Sequence, residues 1–292
     1  MIAKLARWRV DRLSRLGALR RRAGDLRGAE RAYRQALAVA EHRLPADDLA
    51  TARCRNHLGV VLKYAGAFAE AARLYDDAHA VFVARLGPAH PDVGMVMHNI
   101  GGLAHARGRS AEGEAAARRA LCISAAALGD DHPATAADRT ALAAILADMG
   151  HHDEAVDLLE QALPIFERRL GAMHHEVGVT LGCLGTVDVQ RGDLRSGERR
   201  LRRAPASKER TLGTDHPELV PTLGTLSSVC RRNGSYEDAR KLSRRAIDLL
   251  DRRGLGEHPH RTALMGQLAR LEEPSDRDGE AKRGQTPCRY RR

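Results

Sequence analysis

The sequence predicts an all-α fold, a solenoid of stacked antiparallel helix pairs. Three observations predict it. Landmark residues return every 42 positions along the 292-residue chain, as in Gly24, Gly66, Gly108, Gly150, Gly192 and Gly234, or Ala36, Ala78, Ala120, Ala162, Ala204 and Ala246. A loop word L-G-x-x-H-P begins at Leu86, Leu128 and Leu212, reads L-G-A-M-H-H from Leu170, and is shortened at Leu255. Apolar residues make up 43% of the chain and aromatics only 3%, so small side chains carry the packing. A fixed period of this size means repeated supersecondary units, each burying its apolar face on its neighbours. Small side chains suit close helix–helix contact. The two globular domains that length alone suggests are not needed.

The elements follow in order. The first 34 residues carry eleven Lys/Arg against three acidic residues, with Trp8 between Arg7 and Arg9. A basic helix with a tryptophan suits an anionic membrane or nucleic acid. Leu13, Leu16, Gly17 and Gly24 nevertheless keep the repeat register, which makes the segment the first helix of the first repeat. The general unit is clearest over 91–128. Val93, Val96, Met97, Ile100 and Ala104 share one helical face. Gly108 ends that helix, and Ser110 stands where it can cap the next. Apolar and small residues then recur through Ala116, Ala120, Leu121 and Ile123 to Leu128. Each helix of about 17 residues spans about 25 Å.

Pro91, Pro133, Pro217 and Pro259 open helices, since the first helical N–H has no partner to lose. One small residue sits within each first helix: Gly17, Gly59, Gly101, Ala143, Gly185 and Ser227. Another sits near the start of each second helix: Ala29, Ala71, Gly113, Ala155, Gly197 and Ala239. Glycine weakens a helix, so its return in mid-helix signals the close approach of another. In the fifth unit His175 replaces proline, Asp188 takes an apolar position, and Pro205 should kink or break its helix. That unit is the expected weak point.

These residues resemble the tetratricopeptide repeat in its 42-residue, kinesin-light-chain form. The pattern is Leu16-Gly17 followed by Ala29, Tyr33 and Ala36, and again Leu58-Gly59 followed by Ala71, Tyr75 and Ala78. Ala117, Leu159, Leu201 and Ser243 depart from it where the family has an aromatic. The resemblance implies a right-handed superhelix of about six repeats over 1–272, near 8–46, 47–88, 89–130, 131–172, 173–214 and 215–257. A capping helix over 258–272 and a disordered charged tail over 273–292, ending Arg289-Tyr290-Arg291-Arg292, complete the chain.

The chemistry that the sequence excludes narrows function. It contains no G-x-x-x-x-G-K-[ST] phosphate loop and no G-x-S-x-G nucleophile elbow, and no acid/base pair is brought together by a motif. No catalysis and no cofactor are expected. The histidine ladder His90, His132, His174, His216 and His258 places one ring per repeat, whereas metal ligands converge on one ion. The expected role is capping, by the histidine or by the aspartate beside it. Cys54, Cys122, Cys183, Cys230 and Cys288 are odd in number and never in C-x-x-C spacing, which fits free thiols in a reducing cytoplasm. Those on helices are expected to be buried. No run of 18 apolar residues is present to span a membrane, and no secretory leader is expected.

By resemblance, the first helix of each repeat lines a concave groove. Counting outward from its small residue selects Arg21, Arg53, Asn56, Lys63, Tyr64, His98, His105, Arg231 and Arg232 as partner contacts. A stripe of Arg, Lys and His favours an extended acidic peptide or helix of a partner protein. The Lys-Asn pairing that clamps a C-terminal carboxylate is absent. A detached sensor module for a separate signalling ATPase or transcription regulator is the second reading. Nucleic acid is a weaker third, because aromatics for base stacking are nearly absent. The N-terminal end has no evident cap beyond its own basic face, which leaves self-association there open.

Overall fold

The computed structural model describes residues 2–272, and every regular element among them is an α-helix. The first pair is α1 (Ile2–Arg22) with α2 (Leu26–Arg43), and the second α3 (Leu49–Ala65) with α4 (Phe68–Leu86). Then come α5 (Pro91–Ala106) with α6 (Ser110–Leu128), and α7 (Pro133–Asp148) with α8 (His152–Leu170). The last pairs are α9 (His175–Gln190) with α10 (Leu194–Leu212), and α11 (Leu219–Arg232) with α12 (Tyr236–Arg252). Helix α13 (Pro259–Glu272) packs on the last pair. The charged tail and Cys288 lie outside the described residues.

Within each pair the periodic small residue sets the approach. A Cβ built on Gly59 would stand 2.5 Å from Tyr75 Cε1, and one on Gly17 2.7 Å from Tyr33 Cε2. Both tyrosines are buried. In the fifth repeat Leu201 fills the place of the aromatic, its Cγ 2.7 Å from a Cβ on Gly185. In the sixth, Ser227 and Ser243 replace the pair and bond to each other at 2.8 Å. Tight turns join the two helices. At Gly66 the backbone takes φ +83°, a left-handed conformation that glycine adopts without strain, and its N–H bonds back to Lys63.

The histidine ladder caps helices. Nδ1 of His90, His132, His174, His216 and His258 accepts the N–H two residues on, at 3.1, 3.1, 3.3, 3.2 and 3.2 Å. Four of them thereby satisfy one of the orphan donors at a helix start, whereas His216 holds the N–H of Glu218, the residue at the cap position of α11. Where the ladder is absent, Asp25, Asp48 and Asp193 cap instead.

Three expectations need correction. Ser110 does not cap α6; its hydroxyl donates to Asp148 in the next repeat at 2.8 Å, and Arg109 holds the cap position. Pro205 does not break its helix, since α10 runs unbroken through it, as α8 does through Pro164. Close packing compensates: Gly178, Gly185 and Gly197 bring α9 so near α10 that a Cβ on Gly178 would fall 2.6 Å from the Ala204 carbonyl. Cys122 is exposed on α6, whereas Cys54 and Cys230 are buried and Cys183 is half-buried.

Successive repeats are stitched by polar side chains near the groove. Ser14 meets Cys54 at 3.6 Å, Asn99 donates to Asn56 at 2.9 Å, His98 meets Asp138 at 2.6 Å, and Thr140 meets Thr180 at 3.3 Å. Gln267 donates to Ser227 at 2.9 Å at the C-terminal end. Between the fifth and sixth repeats a lysine takes over: Lys208 of α10, only 7% exposed, donates to Thr222 at 2.7 Å and to the Glu218 carbonyl at 3.2 Å.

A second stitch runs along the second helices with a period of 84 residues. Arg34 reaches Glu70, Arg118 reaches Glu154, and Arg202 reaches Asp238, at 2.7, 2.7 and 2.8 Å. It joins repeats one to two, three to four, and five to six. Exposed pairs of this kind add about 0–1 kcal/mol each, so they align helices more than they stabilise them.

The superhelix winds far enough for its ends to meet. His216 lies 3.3 Å from the Arg21 carbonyl, Arg27 donates to the Gly254 carbonyl at 2.7 Å, and Arg253 to the Ala23 carbonyl at 3.4 Å. The seam is apolar as well. One cluster unites Leu26, Tyr33 and Phe82 of the first repeats with Leu219, Leu250 and Leu264 of the last. Leu5, Trp8 and Leu19 of α1 remain exposed.

Candidate functional site

Because the ends meet, the concave groove becomes a lumen bounded by all six repeats. One cavity in it, ≈ 540 Å³, is lined by the first helices of repeats one to five and by the loop before α11. Arg21 and Arg22 come from α1, Lys63 and Tyr64 from α3, and His98 and His105 from α5. The middle wall is small and neutral, with Ala141 and Ala144 of α7. Glu176 and Glu218 stand on the C-terminal side. A neighbouring cavity of ≈ 340 Å³ shares His105, Ala144, Val179 and Cys183 and extends the lumen to Lys208 and Thr225.

The residues selected from sequence divide into groups. Arg21, Lys63, Tyr64, His98 and His105 are brought together in the lumen. Asn56 is not available to a ligand, because it is 1% exposed and its carbonyl accepts from Asn99. Arg231 and Arg232 end α11 exposed to solvent and do not line the lumen cavities with the others. Arg53 is exposed and spent on Asp92 at 2.9 Å.

The expected cationic stripe is therefore partly neutralised from within, at Arg53, His98 and His105. His98 faces Asp138 at 2.6 Å, and His105 faces Asp148 at 3.0 Å. His105 and Ser110 together hold the Asp148 carboxyl below the usual range, against a smaller upward push from burial. Lys63 differs. Among the described residues no carboxylate lies within ion-pair distance of its ammonium, which instead sits 5.1 Å from the Tyr64 ring centroid. Burial by the surrounding wall pushes its pKa below the ordinary lysine value, and the charge of Glu218 works against that shift. A Cβ on Gly102 would lie 3.5 Å from Lys63 Nζ, so the missing side chain there leaves the ammonium open to the cavity.

Sequence reasoning missed Glu176, Glu218, His175, Cys183 and Lys208. Glu176 and Glu218 occupy one repeat position, directly after the loop's His-His or His-Pro, one helical turn before the counted groove positions. Their shared acidity was the available signal. Burial would raise the Glu176 carboxyl, but His175 at 3.2 Å and further histidine charges bring it below the usual range. Cys183 is pushed up to about 11 by burial, so its thiol stays protonated at neutral pH.

No helix among the described residues is long and apolar enough to cross a membrane. No curated protein sequence matches the chain. Among solved structures it resembles BtubC (BKLC) from P. vanneervenii at 18% identity, covering 98% of this chain and 96% of that one, with TM-score 0.52. It resembles a Rap protein complexed with competence and sporulation factor at 13% identity, over 89% of this chain and 74% of that one, TM-score 0.62. The Rap conjugation gene regulator of plasmid pLS20, in complex with the Phr* peptide, shares 15% identity over 96% of this chain and 82% of that one, TM-score 0.66. At these identities the likeness is one of fold. The tetratricopeptide repeat family itself matches residues 11–84, 92–168 and 176–252, three blocks that each span two repeats. The chain belongs to the tetratricopeptide repeat family.

Proposed function

We propose that the chain is a non-catalytic interaction module that holds a peptide or helix of a partner protein in its lumen. The observation that carries this reading is Lys63. It is a half-buried ammonium with no carboxylate at ion-pair distance among the described residues, open to a cavity lined by Arg21, Arg22 and Tyr64. A desolvated cation without a partner favours an anion brought by a ligand, since charge-assisted bonds are strongest where water is scarce. The neutral alanine wall opposite suits apolar contacts along an extended segment. A lumen of ≈ 540 Å³ matches a few residues of chain and not a folded domain.

A regulatory role, as a detached sensor acting on a separate effector, is the second reading. What supports it is that a solenoid of similar fold is a conjugation gene regulator described with a bound peptide. The test is retention of proteins from native lysate by the parent chain and by Lys63→Glu, with identification by mass spectrometry. The reading expects a protein held by the parent and lost from the variant. Retention that is unchanged by Lys63→Glu would move binding out of the lumen, and retention of nucleic acid alone would overturn the reading.

A further inference from the structure

The lumen also presents an unpaired carboxylate, which lines the same cavity as the unpaired ammonium. Glu218 stands at the cap position of α11. Its main chain is fixed on both sides, the N–H by His216 at 3.2 Å and the carbonyl by Lys208 at 3.2 Å. Its carboxylate makes no hydrogen bond or ion pair among the described residues. Yet that charge acts on other groups that line the cavity. It is the largest influence on Tyr64, whose phenol it raises well above the ordinary value, and it acts on Lys63 and His175 as well.

The seam fixes this geometry. Glu218 follows His216 and Pro217, the residues that touch the end of α1. His216 lies 3.3 Å from the Arg21 carbonyl, and Pro217 Cδ lies 3.3 Å from the position of a Cβ on Gly24. The loop that closes the superhelix therefore carries the carboxylate to the wall that carries Lys63. Lys63 and Glu218 lie beyond ion-pair distance of each other, so neither charge satisfies the other. Glu176 adds a second carboxylate on the same side, though His175 already occupies it.

We infer that Lys63 and Glu218 form a two-pronged, bipolar recognition site that selects a segment of mixed charge, with an acidic side chain for Lys63 and a basic one for Glu218. This rests on the lumen reading above and refines it: a purely acidic segment satisfies Lys63 but meets Glu218 as a like charge. A segment carrying both charges satisfies both prongs. Glu218 is thus the residue that sets the charge pattern accepted, and Lys63 is its counterpart.

The experiment uses the full chain and an array of end-blocked hexapeptides in three classes: acidic, basic, and mixed with one acidic and one basic residue at varied spacing. The parent is expected to bind mixed peptides best. Glu218→Gln should weaken mixed peptides by about tenfold and strengthen acidic ones by a similar factor, as one charge contact at several ångströms in a partly desolvated site implies. The swapped variant Lys63→Glu/Glu218→Lys should recover mixed peptides with the order of charges reversed, which a folding defect cannot produce. Acidic peptides bound best by the parent and unaffected by Glu218→Gln would overturn the bipolar site while leaving the lumen reading intact. Failure of every class to bind the parent would overturn both.

Discussion

Replacing Gly59 by alanine tests the claim that the small residue of each first helix exists to admit its neighbour. In an open helix the change stabilises, by about 1 kcal/mol, because glycine is the poorer helix former. At this site the added methyl would stand 2.5 Å from Tyr75 Cε1 and 2.9 Å from Cδ1, about 1 Å inside normal contact. The ring cannot retreat, being fully buried in the cluster that also holds Tyr33, Leu62 and Phe82. Overpacking in such a core costs about 1–3 kcal/mol. The clash should outweigh the propensity gain and leave Gly59→Ala less stable by about 1–2 kcal/mol. Gly182→Ala supplies the control: its nearest neighbour would be Ala204 Cβ at 3.9 Å, so that variant should gain up to about 1 kcal/mol.

The fourth repeat already contains the compensated pair, Ala143 with Leu159, both fully buried. Gly59→Ala/Tyr75→Leu copies it into the second repeat. Tyr75→Leu sacrifices no hydrogen bond, since the Tyr75 hydroxyl is buried without a partner. The double variant should be more stable than the sum of the singles by at least about 1 kcal/mol. Urea denaturation followed by circular dichroism gives the values, with hydrogen exchange in α3 and α4 to localise them, because a solenoid need not unfold in one step. Gly59→Ala as stable as Gly182→Ala, or strict additivity in the double variant, would refute the close-approach argument.

Asn99→Ala should destabilise by about 1–3 kcal/mol, because it orphans the buried Asn56 carbonyl, while Asn56→Leu/Asn99→Leu should cost less than that; thermal melts distinguish them. Acidification should loosen the helix starts. Burial lowers the pKa of His174, His216 and His258, so the unfolded chain binds more protons below about pH 6.5, and stability present above that value is lost as the pH falls through each folded-state pKa. Protonation also removes the Nδ1 acceptor that each cap needs, so hydrogen exchange at the Glu176, Glu218 and His260 amides should quicken. His175 works in the opposite direction, because burial lowers its pKa but Glu176 and its hydrogen bond outweigh burial and raise it. Arg27→Ala/Arg253→Ala removes two of the polar contacts of the seam and should increase the radius of gyration in small-angle X-ray scattering; an unchanged value would mean that the apolar part of the seam suffices.

What the sequence made legible follows from the distance over which each feature is determined. Helix boundaries, turn glycines and the capping role of His90 through His258 depend on residues within one or two turns, and the 42-residue spacing exposes them directly. The neighbouring-repeat contacts are only half visible. Counting groove positions on an isolated helix makes Asn56 a ligand contact, yet the partner that buries it, Asn99, lies 43 residues away on the next one. The same distance explains why His98 and His105 look like free cations in the sequence when Asp138 and Asp148 engage them. Ser110, a capping residue type, is drawn away by Asp148 for the same reason.

The C-terminal wall of the lumen is not legible at all, and the cause is geometric. Whether Glu218 lines the same cavity as Lys63 depends on the pitch of the whole superhelix, the sum of small rotations at every repeat junction. His216 meets Arg21 across 195 positions of sequence, and no local pattern encodes that encounter. The consequence for reading solenoids is specific. A groove counted on one helix at a time gives an inventory of one wall, here mostly cationic, and predicts an acidic ligand. Once the ends meet, a second wall contributes, and its carboxylates change the predicted ligand from acidic to mixed in charge. The junction that decides this is the one between repeats five and six, where polar pairs between successive first helices give way to the buried ammonium of Lys208. That lysine grips the Glu218 carbonyl, and so the least typical junction of the array is also the one that holds Glu218 at the cavity it shares with Lys63.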